Sequence, residues 1–171
     1  MKTALLVGRF QPFHNGHLFL ITHILSCEDK LTIVVGSSQE SRTERNPFTA
    51  AERICMIHRA LENEAILESR FNLIAVPDQK DDAAWLDRLL HASPPFQTVY
   101  ANDDWVRGIF KSTGFKVVKP PFFGRDVHKS KEIRNRMKMD LPWKEFVPEK
   151  VAHYLEEINW HQIFEQIGGS S

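Results

Sequence analysis

Thr3-Ala4-Leu5-Leu6-Val7-Gly8-Arg9-Phe10-Gln11-Pro12-Phe13-His14-Asn15-Gly16-His17 is the stretch on which the fold turns. Thr3 to Val7 form a mostly apolar run closed by Gly8, the pattern of a strand covered on both faces. A helix is predicted over residues 16–26, with Leu18, Ile21 and Leu25 at helical spacing. Leu31-Thr32-Ile33-Val34-Val35 then repeats the buried-strand pattern and is closed by Gly36. Strand, helix and strand within roughly 35 residues make a βαβ unit.

The alternation continues outward. Ala50, Ile54, Ile57 and Leu61 mark a second amphipathic helix, with Thr49 and Glu52 spaced as a capping box. Strands are predicted at 71–76, 97–101 and 115–118, and helices at 82–91 and 103–111. Two more helices are expected near the C-terminus: 130–139, and one that opens with Pro148 as its first residue and turns Val151, Tyr154, Leu155 and Ile158 to one face. The pattern predicts an α/β fold: a doubly wound, mainly parallel five-stranded sheet with C-terminal helices, a single domain over 1–171 whose helical part covers about 130–167. The Gly168-Gly169-Ser170-Ser171 end is expected to fray. In such sheets ligands sit beyond the carboxyl ends of the strands, here just after Val7, Val35, Val76 and Ala101.

Composition narrows the class. The 171 residues carry 22 basic and 22 acidic side chains, a net charge of zero, with 42% hydrophobic residues. That is enough apolar content for one packed domain, and it excludes a disordered chain. No apolar run approaches the roughly 20 residues of a membrane span, and no signal-peptide core follows Met1, so a soluble, cytoplasmic protein without membrane partners is expected. Cys27 and Cys55 lack metal or redox spacing and read as buried free thiols. Zero net charge argues against a nucleic-acid partner. The charge is uneven, however: residues 60–104 hold nine acids against three bases, and residues 119–138 seven bases against two acids. A basic segment in a neutral chain suits a local anionic ligand, or else a solvated helix face.

His14 and His17 stand three residues apart on a predicted first helical turn, next to unpaired main-chain N–H groups and the positive end of the helix dipole. That setting favours phosphate. A metal site lacks the glutamate of H-E-x-x-H, so no metal-ligating residue is assigned; a dinucleotide-binding G-x-G-x-x-G is absent. A lone histidine beside a tight turn is ordinary core, but two histidines, Arg9 and two glycines together at a strand end form a denser pattern.

Gly8–His17 resembles the HxGH signature of the nucleotidyltransferase superfamily, and the full string is similar to archaeal-type nicotinamide mononucleotide adenylyltransferases, a group with bacterial members, some fused to a Nudix hydrolase domain. The resemblance implies a Rossmann-like nucleotidyltransferase fold and extends along the chain. Gly36–Arg53 matches a loop whose arginine, at the place of Arg45, contacts ATP phosphates. After strand three, the resemblance puts Trp85 on the nicotinamide ring, where a flat indole suits a flat cationic pyridinium, with Trp105 as a rival and Asp78 in the same pocket. Asn102 follows strand four as a nucleotide contact, although it or Asp103 can simply cap the next helix. Lys129-Ser130-Lys131-Glu132-Ile133-Arg134-Asn135-Arg136-Met137 is similar to the second signature, S-G-T-E-I-R-R-R-M, with Arg134 at the phosphate-binding arginine and Lys129, Ser130 and Lys131 replacing Ser, Gly and Thr.

The implied reaction transfers AMP from ATP to nicotinamide mononucleotide, giving NAD and pyrophosphate. Arg9, His14, His17, Arg45 and Arg134 would bind phosphates, with His14, His17 and Arg134 stabilising the transition state and Mg²⁺ held mainly by the ATP phosphates. The alternatives are adenylyl or cytidylyl transfer to another phosphate monoester, and a non-catalytic NAD-sensing module. The resemblance leaves open a homo-oligomer and a Nudix domain in a longer parent chain.

Overall fold

In the computed structural model, which describes residues 1–121 and 129–169, the five expected strands form one sheet. They are β1 (Thr3–Gly8), β2 (Lys30–Val35), β3 (Phe71–Ala75), β4 (Thr98–Tyr100) and β5 (Lys116–Val118), all parallel, in the order β3-β2-β1-β4-β5. The helices are α1 (Asn15–Cys27), α2 (Ala50–Asn63), α3 (Asp82–Ala92), α4 (Asp104–Phe110), α5 (Ser130–Lys138), α6 (Glu149–Glu157) and α7 (Trp160–Gly169). Strand order reverses at β1, which puts the switch point of this sheet at the carboxyl ends of β1 and β4. Arg125, Asp126 and His128 of the basic segment lie outside the described residues.

The described chain divides into two compact units. The first comprises Met1–Gly8, Leu20–Ser38 and Leu67–Pro121. It holds the sheet, with Leu6 registered between Ile33 and Tyr100. Leu31 to Val35 are buried without interruption, as a strand covered on both faces requires, and Asn72 donates to the one hydroxyl among them, Thr32, at 3.3 Å. Leu5, Val34 and Val99 pack with Trp85, Leu89, Val106 and Phe110 in one apolar cluster. Arg70 reaches the C-terminal end of α1, donating from Nη2 to the carbonyls of Leu25 (2.7 Å) and Glu28 (3.0 Å), and from Nε to Asp29 (2.6 Å). A cation on those orphan carbonyls ends the helix without a glycine.

The second unit comprises Arg9–Phe19, Gln39–Ile66 and the described chain from Phe122 onward. Here α2 packs on α6, where the Arg59 guanidinium lies 4.6 Å from the Tyr154 ring centre and donates to Glu157 at 2.9 Å. Met56, Ile57 and Leu61 bury on one side, Val151 and Leu155 on the other. The capping box forms as expected: Thr49 Oγ1 accepts from Glu52 N at 3.2 Å, and Glu52 Oε2 accepts from Thr49 N at 2.8 Å.

Several local expectations are corrected. Three helices, not two, close the chain: α7 went unread although Trp160, Ile163, Phe164 and Ile167 stand at the i, i+3, i+4, i+7 spacing of an amphipathic helix; it runs to Gly169, and Ser170 and Ser171 lie outside the described residues. Pro148 caps α6 from outside, with extended ψ of 146°, and is not its first residue. The inward stripe of α1 is Leu20, Ile21 and Ile24, and that of α2 is Arg53, Met56, Ile57, Ala60 and Leu61. An arginine in the buried stripe is invisible to a hydrophobic pattern. Cys27 is exposed and Cys55 half-buried, so neither is a core thiol. No helix among the described residues is long and apolar enough to cross a membrane.

Thr49→Ala removes the hydroxyl half of the capping box and should lower unfolding stability by about 1 kcal/mol in urea titrations, within the usual range for a lost N-cap.

Candidate active site

The loop from Arg9 to His14 folds back on itself because its main chain is held by side chains. Phe10 lies in the left-handed region at φ 53°, with its ring 2% exposed; burial of the phenyl group opposes the strain of that conformation. Gln11 clamps Phe48 in both directions, Nε2 donating to the carbonyl and Oε1 accepting from the amide, each at 2.9 Å. Arg53 Nη1 donates to the carbonyl of Arg9 at 2.9 Å, Arg134 Nη1 to that of Gln11 at 2.8 Å, and Ser130 Oγ to that of Pro12 at 3.1 Å. Loop carbonyls in this buried turn therefore find donors without a sheet or helix ladder.

His14, immediately before α1, and His17, in its first turn, have their rings stacked, centroids 3.5 Å apart. Each Nδ1 lies 3.3 Å from the other residue's main-chain N–H, and accepts from it. A ring nitrogen that accepts carries no proton, so the neutral tautomer of each ring has its hydrogen on Nε2. The pair thus supplies two N–H donors from one short turn. Burial, and after it the charge of His14, holds His17 well below the ordinary imidazole value of 6.5. Phe13 stacks on the His17 ring at 5.5 Å and Phe10 meets it edge-on at 4.8 Å, which fixes its plane.

The second unit also contains a cavity of about 500 Å³ lined by Arg9, Arg45, Lys131, Arg134 and Lys138, with Glu44 as its carboxylate; His14 and His17 are not among the residues that line it. That volume falls within the range of small-molecule sites. Arg134 is pushed down to about 10, by burial first and then by the like charges of Arg9 and Arg45. Three guanidinium groups lining one cavity make an environment that a polyanion relieves. Lys138 pairs with Glu44.

Arg134 differs from the simple phosphate clamp expected of it. Its Nη1 and Nε bind the carbonyls of Gln11 and Glu44, the latter at 3.0 Å, so it braces two cavity-lining loops as well as charging the site. The sequence departures also take definite places: Ser130 braces the loop, and Lys131 lines the cavity. Sequence reading missed Arg53, which is 0% exposed, and the clamp made by Gln11. The only sequence signal for Arg53 was its place three and four residues before Met56 and Ile57, on the buried face.

In the first unit, Asp78 follows β3 and accepts from Ser37 Oγ at 3.1 Å. Trp85 is 3% exposed within the apolar cluster, whereas Trp105, 5.0 Å away between ring centres, is 48% exposed. Asp103 is the residue that caps α4, accepting from the amides of Trp105 and Val106, and Asn102 is exposed just before it. Among the described residues no three His, Cys, Asp or Glu side chains converge to hold a metal.

These features define a nucleotidyltransferase: the cytidylyltransferase-like family model matches residues 5–156. A nicotinamide-nucleotide adenylyltransferase of Thermococcus kodakarensis is 40% identical over 158 residues, covering 92% of this chain and 84% of the relative. One of Saccharolobus solfataricus is 41% identical over 170 residues, covering 99% of both. The chain belongs to the nicotinamide-nucleotide adenylyltransferase family. Among solved structures, a bifunctional NMN adenylyltransferase/ADP ribose pyrophosphatase of Francisella tularensis, complexed with AMP and a Mn ion, superposes with a TM-score of 0.80 at 20% identity. The match covers 97% of this chain and 51% of that one, so the chain spans about half of that protein's length, and the likeness concerns the fold.

The His17 shift has a pH signature. Between its folded value and 6.5, the unfolded chain binds a proton that the folded chain does not, so stability falls as pH drops below about 6.5 and levels off below the folded value. The melting temperature between pH 7.5 and 5 should fall more steeply in the native protein than in His17→Gln.

Proposed function

We propose that this chain transfers AMP from ATP to nicotinamide mononucleotide, releasing pyrophosphate and forming NAD. The observation that carries the reading is the meeting of Arg9, Arg45 and Arg134 at one cavity, together with the relatives of that activity over nearly the whole chain.

A 5′-phosphate oxygen of the mononucleotide attacks the α-phosphorus of ATP; that P–O bond forms as the bond from the α-phosphorus to the bridging oxygen breaks, and the electron pair leaves with pyrophosphate. Both reactants are anions, so the work is to offset their repulsion, align them and meet the charge that grows on the bridging and leaving oxygens. The attacking oxygen is already ionised, and no protein base is required. Arg9, Arg45 and Arg134 oppose the phosphate charge, while the Nε2–H groups of His14 and His17 donate to phosphate oxygens. A neutral His17 fits this role: it donates one hydrogen bond without adding a like charge beside His14.

The cation-lined cavity offers a divalent ion almost no ligand, so Mg²⁺ would arrive on the ATP phosphates, where it neutralises part of their charge. Asp78, Trp85 and Asn102 are proposed for the mononucleotide. A cytoplasmic location is proposed with this reaction.

The test is pyrophosphate release from ATP and Mg²⁺ with a panel of phosphate monoesters. Release with nicotinamide mononucleotide supports the reading; release only with another monoester reassigns the acceptor, and NAD binding without release makes the chain a sensor. His17→Ala should slow turnover by roughly 10²–10³-fold, the loss typical of one transition-state donor, with its circular dichroism unchanged. Near-native turnover would remove His17 from the chemistry.

A further inference from the structure

Glu44 is the one carboxylate among the described residues that line the cavity, and it shares the wall with five cations, Arg9, Arg45, Lys131, Arg134 and Lys138. An acid in that company works against phosphate, because it repels the ligand that the cations attract. Its carboxylate pairs with Nζ of Lys138, the last residue of α5 and 94 positions further along the chain. The Lys138 and Glu44 side chains keep 59% and 69% of their surface in solvent. An exposed pair of flexible side chains adds little to stability, so another anion can take the place of either partner.

The loop that carries Glu44 holds its shape without that pair. Arg134 Nε donates to the Glu44 carbonyl at 3.0 Å. Arg42 Nη1 donates to the carbonyl of Pro47 at 2.8 Å, and its Nη2 pairs with Glu52 at 2.6 Å. Asn46 N donates to Thr43 Oγ1 at 3.0 Å, and Thr43 N to the Asn46 carbonyl at 3.2 Å. The main chain on both sides of Glu44 is therefore fixed by bonds that do not use its carboxylate, which can turn away while Arg45 stays in place.

We propose that Glu44 is a competing anion of the phosphate site: it pairs with Lys138 in the free protein, yields it to the pyrophosphate part of a triphosphate, and takes it back as pyrophosphate leaves. The proposal rests on the adenylyltransferase reading and adds to it a residue that sets how tightly the site grips its most highly charged ligands. Five cations facing one space attract ATP, and they also retain the pyrophosphate that the reaction releases. A carboxylate within reach of Lys138 offsets one of them and shortens that retention. Lys138 stays paired with an anion in both states, so the exchange leaves no charge stranded.

The experiment measures pyrophosphate binding by titration calorimetry in Mg²⁺ buffer for the native protein, Glu44→Gln, Lys138→Gln and the double variant. Glu44→Gln should tighten pyrophosphate by about 3- to 5-fold, and Lys138→Gln should weaken it by a similar factor, the upper range for one exposed charge pair. In the Lys138→Gln background, Glu44→Gln should change the affinity by less than about 1.5-fold, since the cation it competes for is gone. The gain in Glu44→Gln should fade as ionic strength rises, a dependence that a purely structural role would not show. Glu157→Gln removes the exposed carboxylate paired with Arg59 on α6, and should leave the affinity native as a control for net charge. Melting temperatures should stay near native in all variants, because the loop bonds remain. If the native protein forms NAD while Glu44→Gln binds pyrophosphate no tighter, or more weakly, Glu44 is a brace of the loop and this assignment fails alone. An equal gain in the Lys138→Gln background, or in Glu157→Gln, would reveal general repulsion without competition for Lys138 and overturn it as well. If the native protein forms no NAD, the adenylyltransferase reading fails first, and this proposal with it.

Discussion

The second unit depends on one constraint: main-chain carbonyls of the loop from Arg9 to Pro12 must be hydrogen-bonded without a regular ladder. Arg53, Arg134 and Ser130 satisfy those of Arg9, Gln11 and Pro12. Two of these donors are cations, so the groups that fix the loop also charge it. A buried amide acceptor left unpaired costs about 1–3 kcal/mol, which makes each brace a strong determinant of loop shape. The loop in turn delivers Arg9 to the cavity and His14 to the position just before α1. Structure and electrostatics here are one arrangement, and substituting Arg134 would disturb both.

The histidine pair illustrates how little chain a pair of donors needs. Reciprocal main-chain bonds to each Nδ1 settle both tautomers, and the 3.5 Å stack disfavours a second positive charge. The aromatic rings of Phe10 and Phe13 add burial that keeps His17 neutral near pH 7.

Much of this was legible in the sequence, and the limits have physical causes. The strands were readable because buried parallel strands are continuous apolar runs bounded by glycine, and the capping box because its two side chains sit at fixed spacing. Arg9, Arg45 and Arg134 were readable as candidates, but their meeting at one cavity is a tertiary fact. Arg53 escaped notice since a charged residue on the inward stripe of α2 breaks the periodic signal; its burial is tolerated only because the loop supplies carbonyls. Trp85 and Trp105 could not be ranked from sequence, where both are tryptophans near a strand end; only the folded core separates the covered ring from the exposed one.

The uneven charge along the chain also resolves into local roles. In the acidic stretch, Asp81 and Asp103 cap α3 and α4, and Asp82 anchors Trp105, so several of these carboxylates organise helix starts at the sheet edge. In the basic stretch, Arg136 pairs with Glu132 and covers the Phe146 ring at 4.8 Å, and Lys138 pairs with Glu44. Those two cations are largely compensated on the protein itself. Lys131 and Arg134 remain to act with Arg9 and Arg45, and it is their proximity, not the total count of bases, that sets the field. At 0.15 M ionic strength a charge more than about 8 Å away is largely screened at the surface, whereas groups sharing one partly buried cavity are not. A neutral chain can therefore hold a polyanion tightly provided that several of its cations face a single space, as Arg9, Arg45, Lys131 and Arg134 do here.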